Sequence, residues 1–194
     1  MEREVTLPEM LDAREARARR QEELLEQYSG PVISFTLNIA GPVKNGPVLR
    51  RAFQEGMGWL KDSLAGAGAA VLHREETDRV TGCEALLAVR GEGRQIKGLC
   101  TALEEGAPLG RLFDLDVLDR ERGKWDRADL GLPPRGCLVC GREGKACASR
   151  RLHTVEELQQ ATRAILRAHF AQADGDRLAA QGARALVFDV RNNP

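Results

Sequence analysis

The run Gly110–Val117, reading Gly-Arg-Leu-Phe-Asp-Leu-Asp-Val, constrains the fold more than any other part of the chain. Apolar and acidic residues alternate in it with the period of a β-strand. Asp114 and Asp116 therefore share one face, and Phe113, Leu115 and Val117 point to the other, into a core. Two carboxylates side by side repel each other unless a cation sits between them. Mg²⁺ suits them, because it prefers hard oxygen ligands and takes one or two carboxylates together with substrate phosphates. The pattern points to chemistry on a phosphate or diphosphate. Arg111 and the Pro108–Gly110 turn lie just upstream, where a cation and exposed main-chain N–H groups would assist. An Asp-x-Asp also arises on ordinary surface strands and turns, but the strongly apolar flanks here are not those of a polar turn.

The rest of the chain supplies partners for this strand. Residues 8–28 read as a helix dense in Arg and Glu, with a charged middle that is either solvated or faces a charged partner. Val32–Ile39 reads as a strand, Gly41–Pro47 as a turn-rich loop, and Val48–Leu64 as a helix with Phe53, Met57 and Leu60 at helical spacing. Strands are expected at Ala69–His73 and Cys83–Arg90, joined through Asp78–Gly82, then a helix at Arg94–Glu105. The order βαββαβ predicts an α+β, ferredoxin-like antiparallel sheet with both helices on one face and the other face free for a ligand. The fold hosts many functions and decides none. From Lys124 the character changes. Leu132–Arg135 is linker-like, a cysteine cluster follows, and a helix is expected from Thr154 to Ala173, with Glu157 completing a capping box on Thr154. The expected division is a catalytic core over 1–130, a Cys/His lobe with its helix over 131–173, and a tail over 174–194 in which Ala185–Val190 is a candidate short element.

Composition narrows the function. The 194 residues carry 29 basic and 29 acidic side chains, so no whole-molecule attraction to nucleic acid or membrane is indicated. Arg supplies most of the positive charge, which suits phosphate recognition and also follows from codon bias. No apolar stretch is long enough to span a bilayer, and Met1–Glu4 leads into no secretory signal, so a cytoplasmic enzyme is expected. In that compartment the five cysteines are not expected to form disulfides. Cys137, Cys140, Cys147 and His153 have the composition and spacing of a tetrahedral structural zinc site. Reduced thiols in a turn, or a redox pair at Cys137 and Cys140, remain open as alternatives. Cys83 and Cys100 fall in apolar runs and are expected in the core. Arg135, Arg142, Arg150 and Arg151 surround the cluster and are either a grip for a phosphate-rich ligand or acidic partner, or a solvated basic loop.

Several separated motifs occur together: Phe35 with Gly41-Pro42-x-Lys44; Pro108–Val117; Pro133-Pro134-Arg135-x-Cys137-Leu138-x-Cys140; and Cys147-Ala148-x-Arg150 with His153. Over residues 6–170 the chain closely resembles the apo-citrate lyase phosphoribosyl-dephospho-CoA transferases, the holo-acyl-carrier-protein synthases of citrate lyase. One departure is Ala107, where the family often has His. The resemblance implies a nucleotidyltransferase that moves the phosphoribosyl-dephospho-CoA prosthetic group from triphosphoribosyl-dephospho-CoA to a serine of the citrate lyase acyl carrier subunit, releasing diphosphate. Asp114 and Asp116 would then hold Mg²⁺, one of them also assisting deprotonation of the serine. Lys44 and Arg111 would bind the triphosphate, helped by Arg50 and Arg51, with Glu84 a candidate third carboxylate. An acidic carrier would dock on the Arg-rich helix or the arginines of the Cys/His lobe. Three other readings stand beside this one: the related malonate decarboxylase holo-carrier synthase, another Asp-x-Asp nucleotidyl- or glycosyltransferase, and a non-enzymatic zinc-knuckle binding module.

Overall fold

A computed structural model describes residues 3–171; the expected tail from Asp174 lies outside them. In chain order the elements are α1 (Leu7–Gln27), β1 (Val32–Leu37), α2 (Pro47–Gly66), β2 (Val71–Arg79), β3 (Gly82–Val89), α3 (Gly93–Gly106), β4 (Phe113–Asp119), β5 (Gly123–Trp125) and α4 (Gly144–Ser149). A fifth helix, α5, covers residues 155–171. The strands form one antiparallel sheet in the order β2-β3-β1-β4-β5. No described helix is long and apolar enough to cross a membrane.

One face of the sheet carries Ile33, Phe35, Leu87, Leu115 and Val117 into the main core. Phe53, Met57, Leu60 and Leu64 of α2, Ile96 and Cys100 of α3, and Leu166 and Phe170 of α5 complete that core. Cys83 and Cys100 are buried there as expected, and burial pushes both thiols up to about 12. The opposite face is not left free. Leu24, at the end of α1, is fully buried against Val32, Leu86 and Ala88, with Leu25, Tyr28 and Leu72 around it. The charged middle of α1 finds its partners within the chain. Arg17 pairs with Glu84, and Arg20 Nη2 lies 2.9 Å from Glu75 of β2. α1 starts with a capping box in which the Glu9 main-chain N–H donates to Thr6 Oγ1 while the Thr6 N–H donates to Glu9 Oε2.

The main departures from the sequence expectation lie in the strands. β2 does not stop at His73 but runs through the charged residues to Arg79, turning into β3 over Val80–Thr81. It is an edge strand, where charged side chains are tolerated because both faces need not be buried. β4 begins at Phe113, after Gly110–Leu112 forms a single 3₁₀ turn. β5 is only three residues long and gives no periodic signal. In α5 Thr162, Leu166 and Phe170 are buried and Leu158 and Ile165 half-buried, whereas Val155 is exposed. The N-terminus of that helix is the expected box, with the Thr154 N–H donating to Glu157 Oε2 at 2.7 Å and the Glu157 N–H to Thr154 Oγ1 at 3.2 Å.

Gly56 lets α2 sit close to the sheet. A Cβ there would lie 2.7 Å from Phe113 Cζ and 2.8 Å from Phe35 Cζ. Those two rings meet edge to face at 5.1 Å, directly ahead of the carboxylate pair. Gly56→Ala is expected to destabilise the protein by about 1–3 kcal/mol through overpacking; urea unfolding measures this, and an unchanged midpoint would show that α2 can move outward freely.

Candidate functional site

The carboxylate pair is built by the register of the central strands. Thr36 of β1 lies opposite Asp114 of β4, and Ser34 opposite Asp116. On the other side of β1, Thr36 lies opposite Glu84 of β3. Glu84, Thr36 and Asp114 thus form one row across three strands, on the face that α1 crosses, with Ser34 and Asp116 in the next row. Asp114 and Asp116 share a face as the alternation requires, while Leu115 between them is buried in the core. Glu84 is held by Arg17 rather than by the aspartates.

The electrostatics of the pair are unequal. Asp116 Oδ1 is 2.7 Å from Lys124 Nζ on β5, a partner that sequence reasoning missed because so short a strand gives no pattern. Asp114 is open to solvent and has no hydrogen-bond or ion-pair partner among the described residues. Desolvation by the surrounding protein, and then the neighbouring Asp116, hold its carboxyl above the usual range, against the pull of Lys124, Arg135 and Lys97. A bare carboxylate beside one already engaged is a donor set suited to a hard cation.

The predicted cations divide. Lys44 is half-buried in the loop after β1, its Nζ 2.5 Å from the Ile39 carbonyl. Burial, and then the nearby charge of Arg14 on α1, push its amine down. Arg14 has no hydrogen bond or salt bridge among the described residues, so Lys44 and Arg14 form a cationic edge with no anion to neutralise it. Arg14 is one helical turn from Arg17, on the same side of α1. The loop is anchored on several sides: the Val5 N–H donates to the Pro42 carbonyl, Asn45 Nδ2 to Asp78, and Gly41 packs against Gln159 of α5. Arg111 Nη2 is 2.7 Å from the Gly136 carbonyl and ties the 3₁₀ turn to the cysteine lobe. Arg50 lies 3.8 Å from Asp78 and lines a cavity of about 530 Å³ at the start of α2. Arg51 stacks on Phe170 and pairs with Glu55, on the α5 side of α2. Arg50 and Arg51 are thus engaged away from the carboxylates, on a helix that packs on the other face of the sheet.

The cysteine lobe brings its four expected ligands together. The ligand atoms of Cys137, Cys140, Cys147 and His153 all lie within 4.8 Å of one another. Cys140 and Cys147 sulfurs are 3.6 Å apart, and His153 Nε2 is 3.3 Å from Cys140 Sγ. A tight turn closes the first pair, with the Gly141 N–H donating to the Cys137 carbonyl at 3.0 Å. The short helix α4, not foreseen from sequence, delivers Cys147, and the turn before α5 delivers His153. Burial opposes ionisation of Cys137, but the N–H groups of Cys140 and Val139 outweigh it and hold that thiol low. Burial pushes Cys147 up to about 11. His153 Nδ1 is 3.8 Å from Glu157, a carboxylate placed to orient the ring. This group can hold a metal ion.

Comparison with known proteins bears on what such a constellation serves. A family profile described as apo-citrate lyase phosphoribosyl-dephospho-CoA transferase matches residues 5–169, a stretch that includes the aspartates and the whole Cys/His cluster. A protein of that name from Escherichia coli O139:H28 is 35% identical over 162 residues, spanning 84% of this chain and 88% of its own. A probable apo-citrate lyase phosphoribosyl-dephospho-CoA transferase from Streptococcus pyogenes serotype M18 is 38% identical over 170 residues, spanning 86% and 88%.

A carboxyl whose pKa is raised on folding takes stability away once it ionises. The penalty is absent below the unfolded pKa, roughly 4, and fully present above the folded one. Asp114→Asn is therefore expected to raise the melting temperature at neutral pH, with the gain vanishing as the pH falls below about 4. A gain that persisted in acid would assign the effect to something other than ionisation of this group.

Proposed function

We propose that this chain, which belongs to the apo-citrate lyase phosphoribosyl-dephospho-CoA transferase family, attaches the phosphoribosyl-dephospho-CoA group of triphosphoribosyl-dephospho-CoA to a serine of the citrate lyase acyl carrier subunit. The single observation that carries the chemistry is the pair Asp114 and Asp116 on one polar sheet face, with Asp114 unpaired among the described residues. The serine oxygen forms a bond to the α-phosphorus, the bond from that phosphorus to the bridging oxygen breaks, and diphosphate leaves with the bond's electron pair. A Mg²⁺ ion held by Asp114 and Asp116 would neutralise the triphosphate and the departing diphosphate.

The side chains around it have distinct tasks under this reading. Asp116 is paired with Lys124. Asp114, without an ion pair among the described residues and raised in pKa, is the better placed of the two to receive the serine proton. Lys44 and Arg14 offer positive charge, without an acidic partner among the described residues, for the triphosphate. Lys124 would be free to contact phosphate if a metal were held by its carboxylate partner Asp116. Arg111 has further N–H donors beyond its bond to Gly136 and can add a phosphate contact from the lobe side. Arg50 and Arg51 contribute at longer range, at the N-terminal end of α2.

The Cys/His cluster is proposed as a structural zinc site, since four protein ligands leave no open coordination position. Arg142, Lys145, Arg150 and Arg151 surround it without ion-pair partners among the described residues and suit an acidic carrier surface. Residues 1–130 then supply the chemistry and residues 131–173 buttress it. The strand order β4-β1-β3-β2, with α2 and α3 on one face, supports the ferredoxin-like reading, with α1 and β5 added. Free cysteines throughout the described chain agree with a cytoplasmic setting.

Incubation with Mg²⁺, triphosphoribosyl-dephospho-CoA and the apo carrier subunit, read by intact-mass spectrometry, tests the reaction. The carrier is expected to gain the mass of phosphoribosyl-dephospho-CoA. Asp114→Ala and Asp116→Ala are expected to lower the rate by about 10³-fold or more, a loss of several kcal/mol of transition-state stabilisation. No gain with a competent citrate lyase carrier, but a gain with the malonate decarboxylase carrier, would overturn the partner and keep the chemistry.

Zinc has a separate test. Metal analysis of protein purified without chelator is expected to find zinc, and Cys140→Ser to lose most of it together with thermal stability. Wild-type protein without zinc would remove the structural assignment.

A further inference from the structure

Among the described residues, one edge of β4 has no strand neighbour where it carries the carboxylates. β5 pairs only with Val117–Asp119. Leu115 sits between Asp114 and Asp116, and its main-chain groups turn away from β1 toward α3. Glu104 Oε1 accepts the Leu115 N–H at 2.9 Å, and Lys97 Nζ donates to the Leu115 carbonyl at 2.9 Å. Arg135 continues the pattern, with Nη1 donating to the Phe113 carbonyl at 2.5 Å and Nη2 to the Gly110 carbonyl at 2.6 Å. Its guanidinium lies 3.8 Å from Glu104. Lys97 and Glu104 are each 5% exposed. They stand two helical turns apart, on the same side of α3. Side chains thus replace the missing strand, and they pin the backbone immediately before the acidic pair and between its two members.

Neutral amides could satisfy the same main-chain groups. Burying charges is a costly way to do it, because desolvation of an ion pair commonly offsets its attraction. What the set provides is stiffness from two elements at once, since α3 grips Leu115 while the segment leading into the cysteine lobe grips Phe113, two residues earlier on the same strand. We infer that Lys97, Glu104 and Arg135 are positioning residues that hold the main chain through Leu115 and thereby set the separation of the Asp114 and Asp116 carboxylates for a divalent cation. The inference rests on the metal reading of that pair. Carboxylates that hold a metal must be fixed to within about 0.5 Å, and the residues that orient them govern affinity.

Mn²⁺ binding to the full chain, followed by electron paramagnetic resonance as a surrogate for Mg²⁺, tests this without relying on turnover, with each variant's melting curve measured alongside. Lys97→Met and Glu104→Leu are expected to weaken Mn²⁺ binding by roughly 10–100-fold while the protein remains folded. Glu104→Gln, which keeps the acceptor oxygen for Leu115, is expected to stay close to wild type. Arg135→Lys, which keeps the charge but loses the two-carbonyl fork, is expected to fall between, and it decides the matter if the truncations do not fold. Folded variants that bind Mn²⁺ like wild type would overturn the inference and leave the clamp a cover for a strand edge. So would a Glu104→Gln defect as large as that of Glu104→Leu. A wild-type protein that binds no Mn²⁺, or binds it equally well after Asp114→Asn, would instead overturn the metal reading, and this inference with it.

Discussion

Thr36 faces Asp114 and Ser34 faces Asp116 across the β1–β4 pairing, and everything proposed for this protein depends on that register. A slip of one residue would send both carboxylates into the core and Leu115 into solvent. The apolar face prevents it. Phe35 stacks on Phe53 at 4.8 Å and meets Phe113 edge to face, so β1, α2 and the start of β4 are packed as one unit. Ile33 and Val117, opposite each other in the same register, are both fully buried. Packing on one side of the sheet thereby fixes chemistry on the other.

The polar face is assembled from the outside inward. α1 is anchored by Leu24 and lays a row of arginines over the sheet, of which Arg17 and Arg20 are taken up by Glu84 and Glu75. Arg14, further toward the start of the helix, has no ion pair among the described residues, and its charge acts on Lys44 from the loop after β1. The cysteine lobe closes the remaining side. Arg111 reaches into it and Arg135 reaches out of it, each bonding main-chain carbonyls of the other segment. A metal in the lobe would fold a segment with few apolar residues of its own, and these two arginines would carry that order to the start of β4.

What could be seen in the sequence was whatever repeats or clusters locally. The alternation in Phe113–Val117 fixed both the strand and the sidedness of its carboxylates. The close spacing of Cys137, Cys140, Cys147 and His153 announced their convergence, and Thr154 with Glu157 announced the helix cap. Contacts between distant segments were not legible. Lys124 reaches Asp116 from a three-residue strand with no periodicity of its own. Arg17 looked like one charge among many until β3 supplied Glu84. Lys97 and Glu104 carry no signal of burial in the sequence, yet both are buried, against the edge of β4. Leu24 docks α1 because the sheet face beneath it carries Val32, Leu86 and Ala88. The expectation of a free ligand face failed for this reason.

The most direct test of the central claim is the anomalous diffraction signal of Mn²⁺ in crystals grown with triphosphoribosyl-dephospho-CoA. The account predicts a peak within about 2 Å of carboxylate oxygens from both Asp114 and Asp116, with the triphosphate extending from it toward Lys44 and Arg14. Triphosphate bound with its metal elsewhere, for example in the cavity lined by Arg50 and Asp78, would contradict it.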